Sequence, residues 1–457
     1  MHKLLLLFAV LMTLSFVIPK NDPSPNRISS EVKSGYLHFQ FSPDNTYYLT
    51  GSNDTHFVFA QLKADAYNPV SSSRTPLNLC LVIDRSGSMS GDKLKYAKQA
   101  ADFVVDQLKP EDFLSIVIYD SEVKTLLKST AVSDKSHIHQ LISTIQSGSS
   151  TNLSGGLSEG HSQVKANLKS GYVNRVLLMS DGLANAGIVE PERIKQLATR
   201  INITDGITTS SFGVGADFNE DLMMGIAESG SGNYYFIQNP DQIPDIFRKE
   251  LNGLLQVVAQ NAKVKVNLPE GVRLVQMYGY ENVSTDLSNP EIILRDISSE
   301  DQKAFLMSYV LQPGTANPLN FKAVLSYADA VNGNGEISET LQFTVQPTDS
   351  KMLLDQNLDP LVIREYATFH ANWLMQRAMT LVDQGNYTGA RNLIDGSASL
   401  KYKYGATVTT DPRYMKQDSM MSNYKTKIKD YESMNDYDKK VLQKSNKSMN
   451  YEIQKKK

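Results

Sequence analysis

Asp84, Ser86 and Ser88 occupy alternate positions in the string Asp84-Arg85-Ser86-Gly87-Ser88, which packs a carboxylate and two hydroxyls into five residues. Two more oxygen donors lie further on: Thr151, in the Gly/Ser-rich stretch Ser150-Thr151-Asn152-Leu153-Ser154-Gly155-Gly156, and Asp181, in Met179-Ser180-Asp181-Gly182. The set contains no histidine and no thiolate, so it selects a hard cation, Mg²⁺, Ca²⁺ or Mn²⁺, over zinc. Mg²⁺ demands near-octahedral coordination and keeps waters, and these five side chains do not complete its shell. The expected result is an open position that an Asp or Glu of a partner protein can fill.

The elements that must position these residues read as a parallel sheet. Leu77 to Ile83 is a near-continuous apolar run, as in a strand covered on both faces, and in such sheets ligands bind beyond the strands' carboxyl ends. Asp84 is placed there. Further strand candidates are Phe113 to Tyr119, Val176 to Met179, Thr208 to Val214 and Tyr234 to Ile237. Between and after them, residues such as Leu94, Ala97, Ala101, Val104 and Val105 recur at helical spacing. The alternation predicts a doubly wound, mostly parallel α/β domain over 77–257.

On either side the period changes to two. Leu37, Phe39 and Phe41, then Val58, Ala60, Leu62 and Ala64, alternate with other residues before the α/β domain; Val264, Val266 and Leu268, and later runs to Val345, do so after it. Two early strands cannot bury a core alone. The expectation is therefore an antiparallel β-sandwich built from 35–70 and 258–348, with the α/β domain inserted between its strands. From 357 to 400 the pattern turns helical, with Ile363, Ala367, His370, Ala371, Leu374 and Ala378 on one face and a turn at Gly385-Asn386-Tyr387, like a single tetratricopeptide-type hairpin. Residues 401–457 carry 14 Lys and Arg against 7 Asp and Glu and show poor periodicity, which reads as a basic, partly disordered tail.

The other end bears on location. Met1-His2-Lys3 followed by the uncharged, mostly apolar Leu4 to Ile18 has the form of a secretory signal or N-terminal anchor over 1–20, shorter than the about 20 residues of a membrane span, with a polar linker over 21–34. Export is expected, to the periplasm, the cell surface or the medium. A formal charge of −3 gives no support for a nucleic-acid partner, and a membrane partner enters only through that anchor. The single cysteine, Cys80, excludes an intramolecular disulfide and reads as a small buried hydrophobe.

Asp84-Arg85-Ser86-Gly87-Ser88-Met89, Thr151 and Asp181-Gly182, in this order, resemble the metal-ion-dependent adhesion site of the von Willebrand factor type A (VWA) domain. Lys109-Pro110-Glu111-Asp112, Ser211-Phe212-Gly213-Val214-Gly215 and Gly232-Asn233-Tyr234-Tyr235-Phe236 are similar to bacterial secreted members and to inter-alpha-trypsin inhibitor heavy chains. The resemblance covers somewhat under half the chain. It implies that Ser86 and Ser88 bind the metal directly, Thr151 directly or through water, and Asp84 and Asp181 mainly through water. The function it implies is non-enzymatic adhesion or protein binding; the alternative is an envelope assembly or regulatory scaffold subunit in which the metal is secondary.

Other strings carry less. Gly156-Leu157-Ser158-Glu159-Gly160 is a literal G-x-S-x-G, but it follows a polar loop and enters a helix, whereas a hydrolase nucleophile needs a strand immediately before it. Asn332-Gly333-Asn334-Gly335-Glu336 would place its first and last calcium ligands on Ala330 and Leu341, so it reads as a hairpin turn. His137 and His139 read as surface residues without partners, and Trp373 as a packing residue. The glycosylation sequons at Asn53, Asn202, Asn282 and Asn386 matter only in a eukaryotic secretory pathway.

Overall fold

The computed structural model describes residues 29–68, 74–181, 184–215, 218–280, 286–333 and 335–454. The expected signal or anchor, the first part of the linker, Gly182, Asn282 and Asn334 lie outside the described residues.

Four strands come first: β1 (Ser30–Ser34), β2 (Leu37–Pro43), β3 (Tyr47–Leu49) and β4 (His56–Ala64). The α/β unit follows as β5 (Leu77–Asp84), α1 (Asp92–Gln107), β6 (Phe113–Tyr119), β7 (Val123–Ala131), α2 (Lys135–Ser143), α3 (Leu153–Ala166), β8 (Val173–Ser180), α4 (Pro191–Asp205), β9 (Thr208–Val214), α5 (Glu220–Ser229), β10 (Ser231–Ile237) and α6 (Ile243–Leu255). Then come β11 (Val257–Asn267), β12 (Val272–Tyr278), β13 (Glu291–Ser298), β14 (Gln302–Leu311), β15 (Leu319–Asp329) and β16 (Glu336–Thr348). The chain ends in α7 (Lys351–Gln356), α8 (Pro360–Asp383), α9 (Tyr387–Gly396), α10 (Ala398–Tyr404), α11 (Ala406–Thr409), α12 (Pro412–Asp430) and α13 (Asp436–Gln454).

The central sheet runs β10-β9-β8-β5-β6-β7, parallel throughout except for β7, which pairs antiparallel with β6. Every residue of β5 is buried, and its side chains still alternate between two cores. Leu77, Leu79, Leu81 and Ile83 pack with α1, α2 and α6, while Cys80 and Val82 pack with α3, α4 and α5. The unbroken apolar run is thus two half-faces interleaved. Burial also pushes the Cys80 thiol up to about 12, so it stays a neutral core group.

The α/β unit is an insertion between sandwich strands. One sandwich sheet is β1-β2-β4-β14-β12 and the other β13-β11-β15-β16-β3, so β4, from before the insertion and paired with β2 on one edge, pairs on its other edge with β14 from after it. In β4, Val58, Ala60 and Leu62 face the sandwich core, whereas Phe57 and Phe59 turn to the helical region and meet Val362, Leu374 and other residues of its core. That sheet is therefore a middle layer, apolar on both sides.

Three expectations are corrected. The linker does not extend to residue 34, because Ser30–Ser34 is a strand paired with Leu37–Phe41. The basic tail is not disordered as far as Gln454: α12 and α13 bury Tyr414, Tyr424, Ile428 and Tyr451, apolar anchors spaced too irregularly among lysines to show in a periodicity count. His139 has partners; it faces Asp102 at 2.7 Å and Asp106 at 3.1 Å across the α1–α2 interface. Trp373 does pack, stacked on His370 with Arg377 over its ring.

Candidate metal centre at the sheet rim

β5 delivers Asp84 to its last position and the chain then turns tightly through Gly87–Met89 into α1. The turn is held from the inside: Asp84 Oδ1 accepts the Ser86 backbone N–H at 2.8 Å, and Asp84 Oδ2 accepts the Ser180 hydroxyl at 2.8 Å. Asp84 and Asp181 are both fully buried, while Ser88 is exposed, so the cluster opens to solvent at Ser88. Burial pushes the Asp84 carboxyl above the ordinary carboxylate range. The bonds from Ser86 and Ser180 work against that rise, and the charge of Asp181 adds to it.

Three of the candidate residues are in direct contact. The Ser86 and Ser88 hydroxyls are 3.2 Å apart, and the Ser88 hydroxyl donates to Asp181 Oδ1 at 2.8 Å. Asp181 follows β8, the neighbour of β5, which is why two strand ends converge here.

Thr151 comes from a loop bound to the same turn. Gly148 N–H donates to the Arg85 carbonyl at 2.6 Å and Gly87 N–H to the Ser149 carbonyl at 2.9 Å. Thr151 is buried, its N–H donates to Asn185 Oδ1 at 2.8 Å, and its carbonyl accepts from Asn185 and Ala186. The next residue, Asn152, caps α3 by accepting from Gly155 N–H. The five candidates therefore share one rim, with Asp84, Ser86, Ser88 and Asp181 linked side chain to side chain in sequence.

The donor chemistry fits a hard divalent ion. Among the described residues no group of three or more His, Cys, Asp or Glu is arranged to hold a metal, so any ion at this rim must rely on hydroxyls beside the two carboxylates. That is a Mg²⁺-like rather than a zinc-like environment. Ser86, Ser88, Thr151, Asp84 and Asp181 are the residues that could hold it.

Sequence reasoning missed three participants. Ser180 and Asn185 flank Asp181 and lock the two loops together. The third is Lys93, whose ammonium bonds Asp181 Oδ2. Its one sequence signal was position: a cation at the start of the helix that follows the Asp84–Ser88 turn.

The G-x-S-x-G string lies inside α3 and has a packing role. A Cβ on Gly156 would come 2.5 Å from Tyr119 Cδ1, and one on Gly160 2.4 Å from Val82 Cγ2. Ser158 is exposed on the opposite side. The two glycines let α3 lie against the sheet.

Residues 78–249 match the family model of the von Willebrand factor type A domain. The Escherichia coli (strain K12) protein "Uncharacterized protein YfbK" is 32% identical over 207 residues, 45% of this chain and 36% of that protein. Inter-alpha-trypsin inhibitor heavy chain H2 of Sus scrofa is 26% identical over 212 residues, 45% of this chain and 22% of its own length. The chain thus aligns with only about a third or less of these two relatives. The solved structure "von Willebrand factor type A from Catenulispora acidiphila" superposes with a TM-score of 0.68 at 13% identity, over 86% of this chain and 91% of that one, which extends the likeness in fold beyond the α/β unit. The α/β unit inserted in this sandwich is a von Willebrand factor type A domain.

Proposed function

We propose that this chain is an exported, non-enzymatic binding protein whose VWA domain holds Mg²⁺, or Ca²⁺ or Mn²⁺, through Asp84, Ser86, Ser88, Thr151 and Asp181. The metal's open position captures an Asp or Glu carboxylate of a partner protein. One observation carries the reading: two fully buried carboxylates and two touching hydroxyls converge at the carboxyl ends of adjacent parallel strands, with Ser88 exposed to solvent. VWA domains commonly mediate protein binding and adhesion, which supports the same conclusion. One carboxylate does not make a specific interface, so the surrounding rim supplies the remaining contact area.

The test is calorimetry of the full chain with Mg²⁺, alone and as Asp84→Ala, followed by crosslinking pull-down from the native envelope with and without EDTA. Metal binding in the parent, its loss in the variant, and partner release by EDTA support the reading. Unchanged metal binding in Asp84→Ala, or capture indifferent to chelator, defeats it.

A second reading, an envelope assembly or regulatory scaffold subunit, is favoured by the ionic joint between the VWA domain and the sandwich. Buried Arg175 bonds Glu250 at 3.0 Å on one side and Asp296 at 3.1 Å on the other. A partner retained through chelation selects that reading.

A further inference from the structure

We propose that Lys93 is a resident counter-ion of the metal site, a tethered cation that holds Asp181 in the metal-free protein and thereby weakens divalent-ion binding. The inference rests on the metal-binding reading above and concerns how that site is regulated.

The geometry makes the lysine part of the same turn as the hydroxyl donors. The chain leaves Ser86 and Ser88, passes Gly91 in a left-handed conformation (φ 78°), and enters α1 at Asp92. Lys93 is therefore in the first helical turn, where its side chain reaches back over the rim to Asp181 Oδ2. The opposite wall is the end of β9. A Cβ on Gly215 would lie 3.3 Å from Lys93 Nζ, and Gly215 itself sits at φ +83°, so the residue suited to that backbone also leaves the ammonium its space.

The electrostatics call for such a group. Asp84 and Asp181 are both fully buried, and the charge of Asp181 adds to the cost of charging Asp84. Arg85, the other cation of the motif, is turned away to Asp120 at 3.0 Å. Compensation of Asp181 falls to Lys93, whose side chain retains 24% exposure and can swing outward. A divalent ion arriving at the rim must displace this ammonium or share Asp181 with it. The empty site is thus kept folded and closed to weak binders, and loading it releases a lysine at the face where a partner docks.

Titration calorimetry of the full chain with Mg²⁺ and with Mn²⁺, on the parent, Lys93→Met and Lys93→Arg, decides the matter, with thermal unfolding in EDTA and in excess Mg²⁺ as a second readout. Lys93→Met is expected to bind Mg²⁺ roughly tenfold or more tighter, because a full charge of competition is gone. It should unfold at a lower temperature than the parent in EDTA and gain more from Mg²⁺; Lys93→Arg should stay near the parent. Metal binding only in Lys93→Met also supports the inference. Binding by the parent with equal or weaker binding by Lys93→Met overturns it and leaves the metal site standing. Absence of binding in all three proteins overturns both.

Discussion

The hydroxyl of Tyr451 accepts the backbone N–H of Tyr234 at 3.3 Å, so the last helix of the chain caps the open edge of the VWA sheet. The two rings meet edge to face, 5.7 Å apart, and Tyr451 is buried with the α4–α5 side of the VWA core. Seven residues earlier, Lys444 Nζ donates to the Phe218 carbonyl at 2.7 Å and lies over that ring. Phe218 follows β9 by four residues, so α13 holds a loop at the same end of the sheet as the metal rim.

This clasp predicts a large truncation effect. Tyr451→Ala removes a buried aromatic and should cost about 3–5 kcal/mol, whereas Tyr451→Phe loses one hydrogen bond, about 0.5–1.5 kcal/mol. Urea denaturation of both variants checks the ratio. Equal effects would mean that the ring contributes nothing at the sheet edge.

Gly160→Ala should destabilise through overpacking, by about 1–3 kcal/mol, since its new Cβ starts 2.4 Å from Val82 Cγ2. Displacement of α3 also moves Thr151 at its entrance, so Mg²⁺ affinity should fall with stability. Ser158→Ala, on the exposed side of the same helix, should change neither. Thermal unfolding and calorimetry on the pair separate a packing glycine from a hydrolase motif.

Asp44 gives the fold a pH dependence. Burial raises its carboxyl from 3.8 to about 6, against the opposing charge of His56, whose Nδ1 is 3.9 Å from Oδ2. A carboxyl raised in the folded state binds its proton more tightly there than in the unfolded chain. Its contribution is therefore full below about pH 4 and is lost as pH rises through about 6, on the order of 3 kcal/mol. Asp44→Asn should flatten the stability profile between pH 4 and pH 7, read by urea midpoints. An unchanged slope would place the titration elsewhere.

Legibility in the sequence followed how locally each feature is encoded. The VWA strands with unbroken apolar runs, such as Leu77–Ile83, were readable because burial on both faces needs no partner pattern. β7 was missed: as the antiparallel edge strand it buries Leu127 but alternates intermediate and exposed positions elsewhere, and nothing local distinguishes it from a polar loop. The five rim oxygens were legible from motif order, whereas Lys93, Ser180 and Asn185 were not, because their roles exist only once two strand ends meet. α13 was misread for the same reason. Its anchors Lys444, Asn450 and Tyr451 answer to Phe218, Asn372 and Tyr234, residues that are distant in sequence.

The joint that leads into the VWA domain makes the final prediction. Arg74 and Asp112 form a bidentate pair, 2.9 Å on one arm, with side-chain exposures of 6% and 0%. Asp112 also accepts the N–H of Leu77 at 2.8 Å and of Lys109 at 2.6 Å, so one carboxylate fixes the start of β5 and the turn before β6. Removing it strands a buried guanidinium, the buried N–H of Leu77 and the part-buried N–H of Lys109, and Asp112→Ala should cost about 3–5 kcal/mol. Arg74→Met strands the carboxylate, but the two N–H donors still bond it, so that loss should be smaller. The double variant should fall short of the sum, since the guanidinium left alone by the first change is gone in the second. Chemical denaturation of the three variants measures the coupling. Strict additivity would show that the pair does not act as one strut.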